Sequence, residues 1–192
     1  MYFAVLFIII IYLLSVFKRK KLYAFYFGLG VLGFYGFVFF FLRESITPMM
    51  IKGTCFIMDK IGRLLHLWVG YPNYGVLFID NGDSCISLNI DYECSGFLEI
   101  LTFISPLLFF QVYSIWKRLA WCIGGTFYLI VMNIVRLCII CGAIYIRGDS
   151  AYYLAHTIVG RLFFVVCVSL LYIVAFTYAH VNSQDVGSFD YK

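Results

Sequence analysis

Three side chains in this sequence have the types that covalent acyl transfer requires. Cys94 stands at the edge of an apolar run, Arg136 lies inside another, and His156 lies near the start of a third. A thiolate can attack a carbonyl, a histidine can take and return the proton, and a guanidinium can hold the substrate or stabilise an oxyanion. A nearby cation also raises the thiolate fraction of a cysteine. The three residues therefore predict acyl transfer, which ends in hydrolysis or in transfer to an amine.

Five further residues are expected to support this chemistry or to contact the substrate. Glu93 precedes the cysteine, and the small residues Ser95 and Gly96 follow it. Asn133 lies three residues before the buried arginine, on the same face of a helix, where it can orient the guanidinium. Arg161 is a second charge inside an apolar run, but it points to a different sector from the histidine and ranks second. Charged groups in lipid are costly, so such arginines usually face the interior of a helix bundle.

The composition predicts that these residues belong to a membrane protein. The 192 residues are 64% hydrophobic and only 12% charged, and the mean hydropathy is +0.95. Soluble domains have about 25% charged residues. The net charge of +4 is not gathered into a nucleic-acid-binding patch, and the seven cysteines do not form paired CxxC motifs at zinc spacing. We expect one integral membrane domain over residues 1–192, with no metal, no cofactor and no nucleic-acid partner.

The apolar runs predict an all-α polytopic fold with about five transmembrane helices. A helix that crosses the bilayer needs about 20 mostly apolar residues. The first run is at the short end of this range and has no signal-peptide cleavage site, so a retained helix is expected. The five predicted spans cover residues 1–17, 22–42, 97–116, 122–146 and 154–179.

Two short basic segments orient these spans. The sequence KRKK occupies residues 18–21, and KR occupies residues 117–118. Short loops rich in Lys and Arg lie in the cytoplasm. The N-terminus and the segment 43–96 are therefore predicted outside, and the tail 181–192 is predicted in the cytoplasm. This topology brings the cysteine, the arginine and the histidine to the outer half of the bundle.

The outer segment is predicted to contain one helix and one β-hairpin. Residues 46–70 intersperse charges among apolar side chains, which is typical of an amphipathic helix lying on the membrane. Residues 74–91 predict two short strands around Asn81 and Gly82, because this pair is the strongest short hairpin signal. The hairpin then leads the chain to the cysteine.

These motifs together resemble the exosortase/archaeosortase family, and most closely its short Gram-positive branch. The resemblance rests on ECSG (93–96) before a span, NIVR (133–136) within the next span, and His156 at the start of the following one. It covers roughly residues 70 to 175. It implies a bacterial multi-pass membrane enzyme, a cysteine transpeptidase or protease with its active site on the extracytoplasmic face. By that pattern Cys94 is the nucleophile, Arg136 the essential arginine and His156 the general acid and base.

The resemblance also implies the partners. The substrates are surface proteins with a C-terminal sorting signal, which consists of a short motif, a transmembrane helix and a basic cluster. The lipid bilayer surrounds the enzyme, and the machinery of cell-envelope glycosylation is a further expected partner. The larger members of the family have more spans before the core than the two predicted here.

Several alternatives remain open at this point. Cys94 can instead form a disulfide with Cys85, because disulfides persist outside the cytoplasm. Arg136 can be a structural charge paired with a carbonyl or with Glu99, and His66 can compete as the base. The chain can also be a transporter or channel-like subunit, or a non-catalytic membrane scaffold of a cell-envelope assembly system.

Overall fold

The apolar runs of the sequence form α-helices in the computed structural model, which describes residues 2–80 and 85–178. The helices within those residues are α1 (Tyr2–Arg19), α2 (Tyr23–Phe41), α3 (Arg43–Leu65), α4 (Phe97–Phe109), α5 (Ile115–Arg147) and α6 (Gly160–Tyr172). A 3₁₀ turn, Gly148–Ala151, follows α5, and π-helical turns, Leu154–Val159 and Ile173–Tyr178, flank α6. The predicted tail 181–192 lies outside the described residues.

Three helical segments in the described part of the chain are long and apolar enough to cross a membrane. They are Tyr23–Phe41, Ile115–Arg147 and Leu154–Thr177. The apolar helix α4 has only 13 residues, or about 20 Å at 1.5 Å per residue, whereas the hydrocarbon core is about 30 Å thick. The helical, multi-pass character is therefore confirmed, while the count of five spans stays a prediction.

Helix α4 ends at Phe109, seven residues before the end of the predicted span 97–116. Pro106 lacks the amide hydrogen of a regular helical residue, and Phe110 is already extended. The Arg118 guanidinium donates to the carbonyl oxygen of Phe110 (2.8 Å), which satisfies one of the acceptors that the helix end leaves free. The basic pair 117–118 consequently lies within the first turn of α5 instead of in a loop.

The predicted hairpin is present as β2 (Val76–Asp80) and β3 (Cys85–Asn89), which pair in antiparallel fashion. Its turn, with the Asn-Gly pair, lies outside the described residues. A strand that the sequence did not predict, β1 (Trp68–Tyr71), pairs with the other side of β2. The result is a three-stranded sheet in the order β1-β2-β3.

The amphipathic helix predicted at 46–70 is α3, which ends at Leu65 instead of continuing to residue 70. His66 adopts the left-handed conformation (φ 55°) and its amide donates to the Gly62 carbonyl, which ends the helix. The chain then turns back along α3 as β1. This return is fixed by the Trp68 indole, whose Nε1–H donates to the Met58 carbonyl at 2.8 Å.

Helix α5 is the element around which the site is assembled. It packs on α4, on the segment that contains α6, and on α3 and β2. Apolar side chains of α3, the sheet and α5 form one continuous core, in which Leu77, Ile140 and Ile144 are fully buried. A second core joins α4, α5 and the last helical segment. The loop that carries Cys94 lies where these packed elements meet.

Candidate functional site

The loop 91–96, between β3 and α4, holds Cys94 through its own hydrogen bonds. The Cys94 amide donates to Asp91 Oδ1 at 3.2 Å, and Ser95 Oγ donates to the Tyr92 carbonyl at 2.8 Å. Side chains of this kind bond to nearby backbone groups and so fix tight turns. Gly96 follows with a φ of +81°, a conformation that glycine adopts without steric cost, and the chain enters α4. The cysteine is therefore held in a defined turn.

Asn133 joins this turn to α5. Its Nδ2–H donates to the Cys94 carbonyl at 2.9 Å, and the side chain is 2% exposed. A Cβ atom at Gly96 would lie 3.4 Å from Asn133 Nδ2, which is an ordinary van der Waals contact, so this position favours glycine because of its positive φ and not because of crowding. The asparagine, which was expected to orient the arginine one turn further on, instead supports the backbone of the cysteine.

One cleft brings the three predicted reactive side chains together. Cys94, Arg136 and His156 all line it, as do the predicted supporting residues Glu93 and Arg161. The cleft holds about 270 Å³ and is open on one side. Of the other predicted supporting residues, Ser95, Gly96 and Asn133 are buried behind the cysteine instead of lining the cleft.

The Arg136 guanidinium lies against the aromatic ring of Phe164, with its Cζ 5.4 Å from the ring centroid. Arg136 is 5% exposed, and its buried Nε has no hydrogen-bond partner among the described residues. Glu99 Oε2, also buried at this cleft, has none either, and no ion pair joins the two side chains within the described chain. A buried hydrogen-bond donor without a partner is costly. The arginine is therefore available to an anionic or carbonyl group that enters the cleft.

The His156 ring is oriented by stacking. It lies in the π-helical turn Leu154–Val159 and stacks on Tyr152, with ring centroids 5.7 Å apart and planes 9° apart. Its Nδ1 is buried and has no hydrogen-bond partner in the described structure, so no carboxylate holds it as in a serine-protease triad. The competing base, His66, lines a different pocket beside Arg63 and β1.

The family model of the transmembrane exosortases matches this chain over residues 1–173. The chain belongs to that family. The match extends beyond the region 70 to 175 that the motifs cover and includes both N-terminal helices. Searches of curated proteins and of solved structures gave no significant match.

Burial dominates the acidity of the cysteine in this exosortase. Cys94 is 4% exposed, and burial raises the pKa of its thiol to about 11. The Arg136 charge lowers this pKa, but the nearby carboxylates of Asp91 and Glu93 raise it. The thiol is therefore neutral at pH 7 in the resting site, although a cation lines the same cleft.

The seven cysteines of the exosortase, all within the described residues, are free thiols. The alternative disulfide partner, Cys85, is exposed at the start of β3, whereas Cys94 is buried at the cleft. Cys55 donates to the carbonyl oxygen of Val76 at 3.6 Å and lies in the core beneath the sheet. None of these thiols belongs to a cluster able to bind a metal ion within the described chain.

Two acidic residues of the cleft were not predicted as part of the site. Asp91 holds the cysteine amide and adds a negative charge beside the thiol. Its signal in the sequence was an acid three residues before the cysteine, which is typical of a side chain that caps a turn. Glu99 was considered only as an ion-pair partner of the arginine. Glu93 lines the cleft as expected and accepts a hydrogen bond from the Tyr92 hydroxyl at 3.1 Å.

Proposed function

We propose that this exosortase is a membrane-embedded cysteine transpeptidase or protease that cleaves the C-terminal sorting signals of surface proteins. One observation carries the proposal. Cys94, Arg136 and His156 come from three elements that are distant in the sequence, and all three line a single cleft. They are the types of residue that acyl transfer needs as nucleophile, oxyanion stabiliser and proton carrier.

The raised pKa of the thiol defines how the reaction begins. Because Cys94 is neutral in the resting site, it attacks the scissile carbonyl as His156 accepts the thiol proton. The negative charge that develops on the carbonyl oxygen is stabilised by the Arg136 guanidinium. The carbon–nitrogen bond then breaks, and the imidazole returns the proton to the leaving amine. The acyl group is left as a thioester on the sulfur, which an amine or water releases.

The proposed location is the extracytoplasmic face of a bacterial membrane. The four basic residues 18–21 lie in the last turn of α1 and in the turn that leads to α2, which favours the cytoplasm for this end of the two helices. Helix α2 then leads the chain to the opposite face, where α3, the sheet and the cysteine loop follow. The substrates proposed for this face are surface proteins anchored by a C-terminal transmembrane helix, with the cell-envelope glycosylation machinery as a further partner.

The test is the fate of such surface proteins in cells that produce single variants. Cys94→Ala, Arg136→Ala and His156→Ala should each make precursors that retain the C-terminal transmembrane helix accumulate. The precursors are identified by mass spectrometry of C-terminal membrane peptides. The variants should still insert at normal levels. Cys85→Ala is the matched control, because this exposed cysteine lies away from the cleft, and it should process normally.

Normal processing by Cys94→Ala would exclude the proposed chemistry. Processing that survives in Cys94→Ala but is lost in Arg136→Ala would favour a transport role, in which the intramembrane charge lines a path. Processing that survives in all three variants would favour a scaffold.

A further inference from the structure

The two edges of the sheet differ in what covers them. At the edge formed by β1, the Gly70 amide points away from β2 and donates to Asp59 Oδ1 of α3 at 2.9 Å. The same carboxylate binds the Arg63 side chain at 2.9 Å. Helix α3 therefore covers the edge of β1. The edge of β3 has no strand beside it in the described chain, because β3 is the last strand in the order β1-β2-β3.

The register identifies the backbone groups that β3 presents at its open edge. The Ile90 amide donates to its aligned partner, Gly75, at 2.8 Å, which makes this a hydrogen-bonded pair. Hydrogen-bonded pairs alternate with non-hydrogen-bonded pairs along an antiparallel ladder, so the next aligned pair is not hydrogen-bonded and the pair after it is. The backbone groups of Leu88 therefore face β2, and those of Ser87 and Asn89 face outward.

The hydrogen bond on the opposite edge gives the same alternation independently. Leu77 is aligned with both Leu88 and Gly70. If the backbone groups of Leu77 face β3, those of Gly70 must face away from β2, and the Gly70 amide does so by binding Asp59.

The described residues of the open edge carry no charge, proline or bulge that would prevent a strand from pairing. Proteins protect exposed edges with charged side chains, proline or bulges. The outward positions of β3 are instead Cys85, Ser87 and Asn89, which are small or polar, uncharged and exposed. This edge can accept an extended peptide by adding a strand to the sheet, a common mode of peptide recognition.

The open strand also leads directly to the cleft. Asn89 is five residues before Cys94, which corresponds to at most about 17 Å of extended chain. The intervening Asp91 lines the cleft beside the cysteine. A peptide paired with β3 would therefore run towards the thiol along the strand that carries it there.

We propose that the open edge of β3 binds the substrate segment that immediately precedes the cleaved bond, as a fourth, parallel strand. This inference rests on the proposed function. In a substrate of that class, the segment after the bond continues into a transmembrane helix, whose backbone groups are already bonded within the helix. Only the preceding segment has free backbone groups. Its chain must run towards the cysteine, as β3 does, which makes the pairing parallel.

The test removes one outward backbone donor and keeps the ladder to β2. Ser87→Pro deletes an amide hydrogen that faces the open edge, whereas Ser87→Ala keeps it and serves as the matched control. Cells with Cys94→Ala identify the precursors that accumulate. Pulse-chase labelling then measures the half-life of these same precursors in cells with each Ser87 variant. We expect the half-life of these precursors to be about five- to tenfold longer with Ser87→Pro than with Ser87→Ala, which keeps the amide hydrogen. An unchanged half-life in Ser87→Pro, with normal protein levels, would overturn the inference.

A second measurement serves if Ser87→Pro fails to fold. A photo-crosslinking phenylalanine analogue at Ser87, in the Cys94→Ala background, should capture the same precursors through the segment that precedes the cleavage site. The analogue at Tyr71, an exposed aromatic on the covered strand β1, is the control and should not. Absence of those crosslinks at Ser87 would overturn the inference.

The two proposals can fail separately. If Cys94→Ala causes no precursor to accumulate, the proposed function is wrong, and the edge has no substrate of this class to bind. If precursors accumulate with Cys94→Ala, but the crosslinking analogue at Ser87 does not capture them and Ser87→Pro does not slow their processing, only the proposed role of β3 is wrong.

Discussion

The thiol of Cys94 should react slowly with alkylating reagents at neutral pH. The negative charge of Asp91 should account for part of this low rate, because it raises the pKa of the thiol. A pKa of about 11 leaves about 0.1% of the thiol ionised at pH 8, whereas a free cysteine with a pKa of about 8.5 is about 24% ionised. Because the thiolate is the nucleophile, ionisation alone predicts about a 200-fold slower reaction than that of a free cysteine. Burial of the sulfur slows the reaction further.

The perturbation is Asp91→Asn. The amide oxygen of asparagine can still accept the Cys94 amide hydrogen, so the turn is kept while the negative charge is removed. The pKa of Cys94 should fall, and each unit of fall raises the thiolate fraction tenfold below the pKa. Glu93→Gln should act in the same direction but more weakly, because its charge raises the pKa of the thiol less than that of Asp91 does. Arg136→Gln should slow the reaction.

The assay is labelling of intact cells with a membrane-impermeant maleimide between pH 7 and pH 10, with the sites mapped by peptide mass. Exposed Cys85 is the internal reference in every sample. Equal labelling rates for Cys94 and Cys85 at pH 8 would refute the reasoning, and so would an Asp91→Asn variant that labels no faster. A parallel sample reduced beforehand tests the disulfide, since labelling of both cysteines only after reduction would indicate that they had been paired.

Three other predictions concern packing, pH and the arginine. Gly125→Ala should lower the free energy of unfolding by about 1–3 kcal/mol, because the added Cβ would collide with a buried phenylalanine of α4. Gly124→Ala is the control and should leave the free energy of unfolding unchanged, because Gly124 faces open space. Thermal unfolding in detergent measures both variants. Burial raises the pKa of Asp59, but its bonds to Arg63 and to the amide of β1 outweigh this and lower it from 3.8. The folded state therefore favours the charged carboxylate. The difference in free energy of unfolding between wild type and Asp59→Asn should be constant above about pH 5 and should shrink as the pH falls below 4. Arg136→Lys should process substrate as poorly as Arg136→Ala in the pulse-chase assay, because an ammonium cannot donate two parallel hydrogen bonds to one group.

The sequence predicted the hairpin strands and missed the strand beside them for a physical reason. The residues of β2 and β3 flank a strong turn signal, β2 is a short apolar run and β3 has apolar residues in alternation, so local information was sufficient. The residues of β1 form a strand of only four residues that contains Gly70. This strand is held by the Trp68 bond to Met58 and by the amide bond to Asp59, both on α3. Such bonds between distant residues leave no periodic pattern.

The three candidate reactive residues could be singled out from the sequence because each has a type that is unusual in its surroundings. Placing an arginine inside an apolar span costs free energy, so Arg136 is expected to have a function even without a structure. Their meeting in one cleft required the fold, since the cysteine loop is positioned by Asn133 and the histidine by a π-helical turn. The position of Asp91 three residues before the cysteine signalled a turn, but its effect on the thiol was missed because that effect depends on how close the folded chain brings the carboxylate to the sulfur.

The neutral, buried state of Cys94 would suit the nucleophile proposed here for the extracytoplasmic face, which is an oxidising compartment. Disulfide exchange and oxidation both proceed through the thiolate, so a thiol with a pKa of about 11 resists them. A permanently ionised cysteine on the outer face would be exposed to both reactions whenever substrate was absent. In the proposed mechanism His156 removes the need for a resting thiolate, because it accepts the proton as the sulfur attacks. The Cys94 thiol can react slowly with oxidants and quickly with a bound carbonyl only if His156 is essential. We therefore expect two results together: the Cys94 thiol stays reduced on intact cells, and His156→Ala abolishes processing.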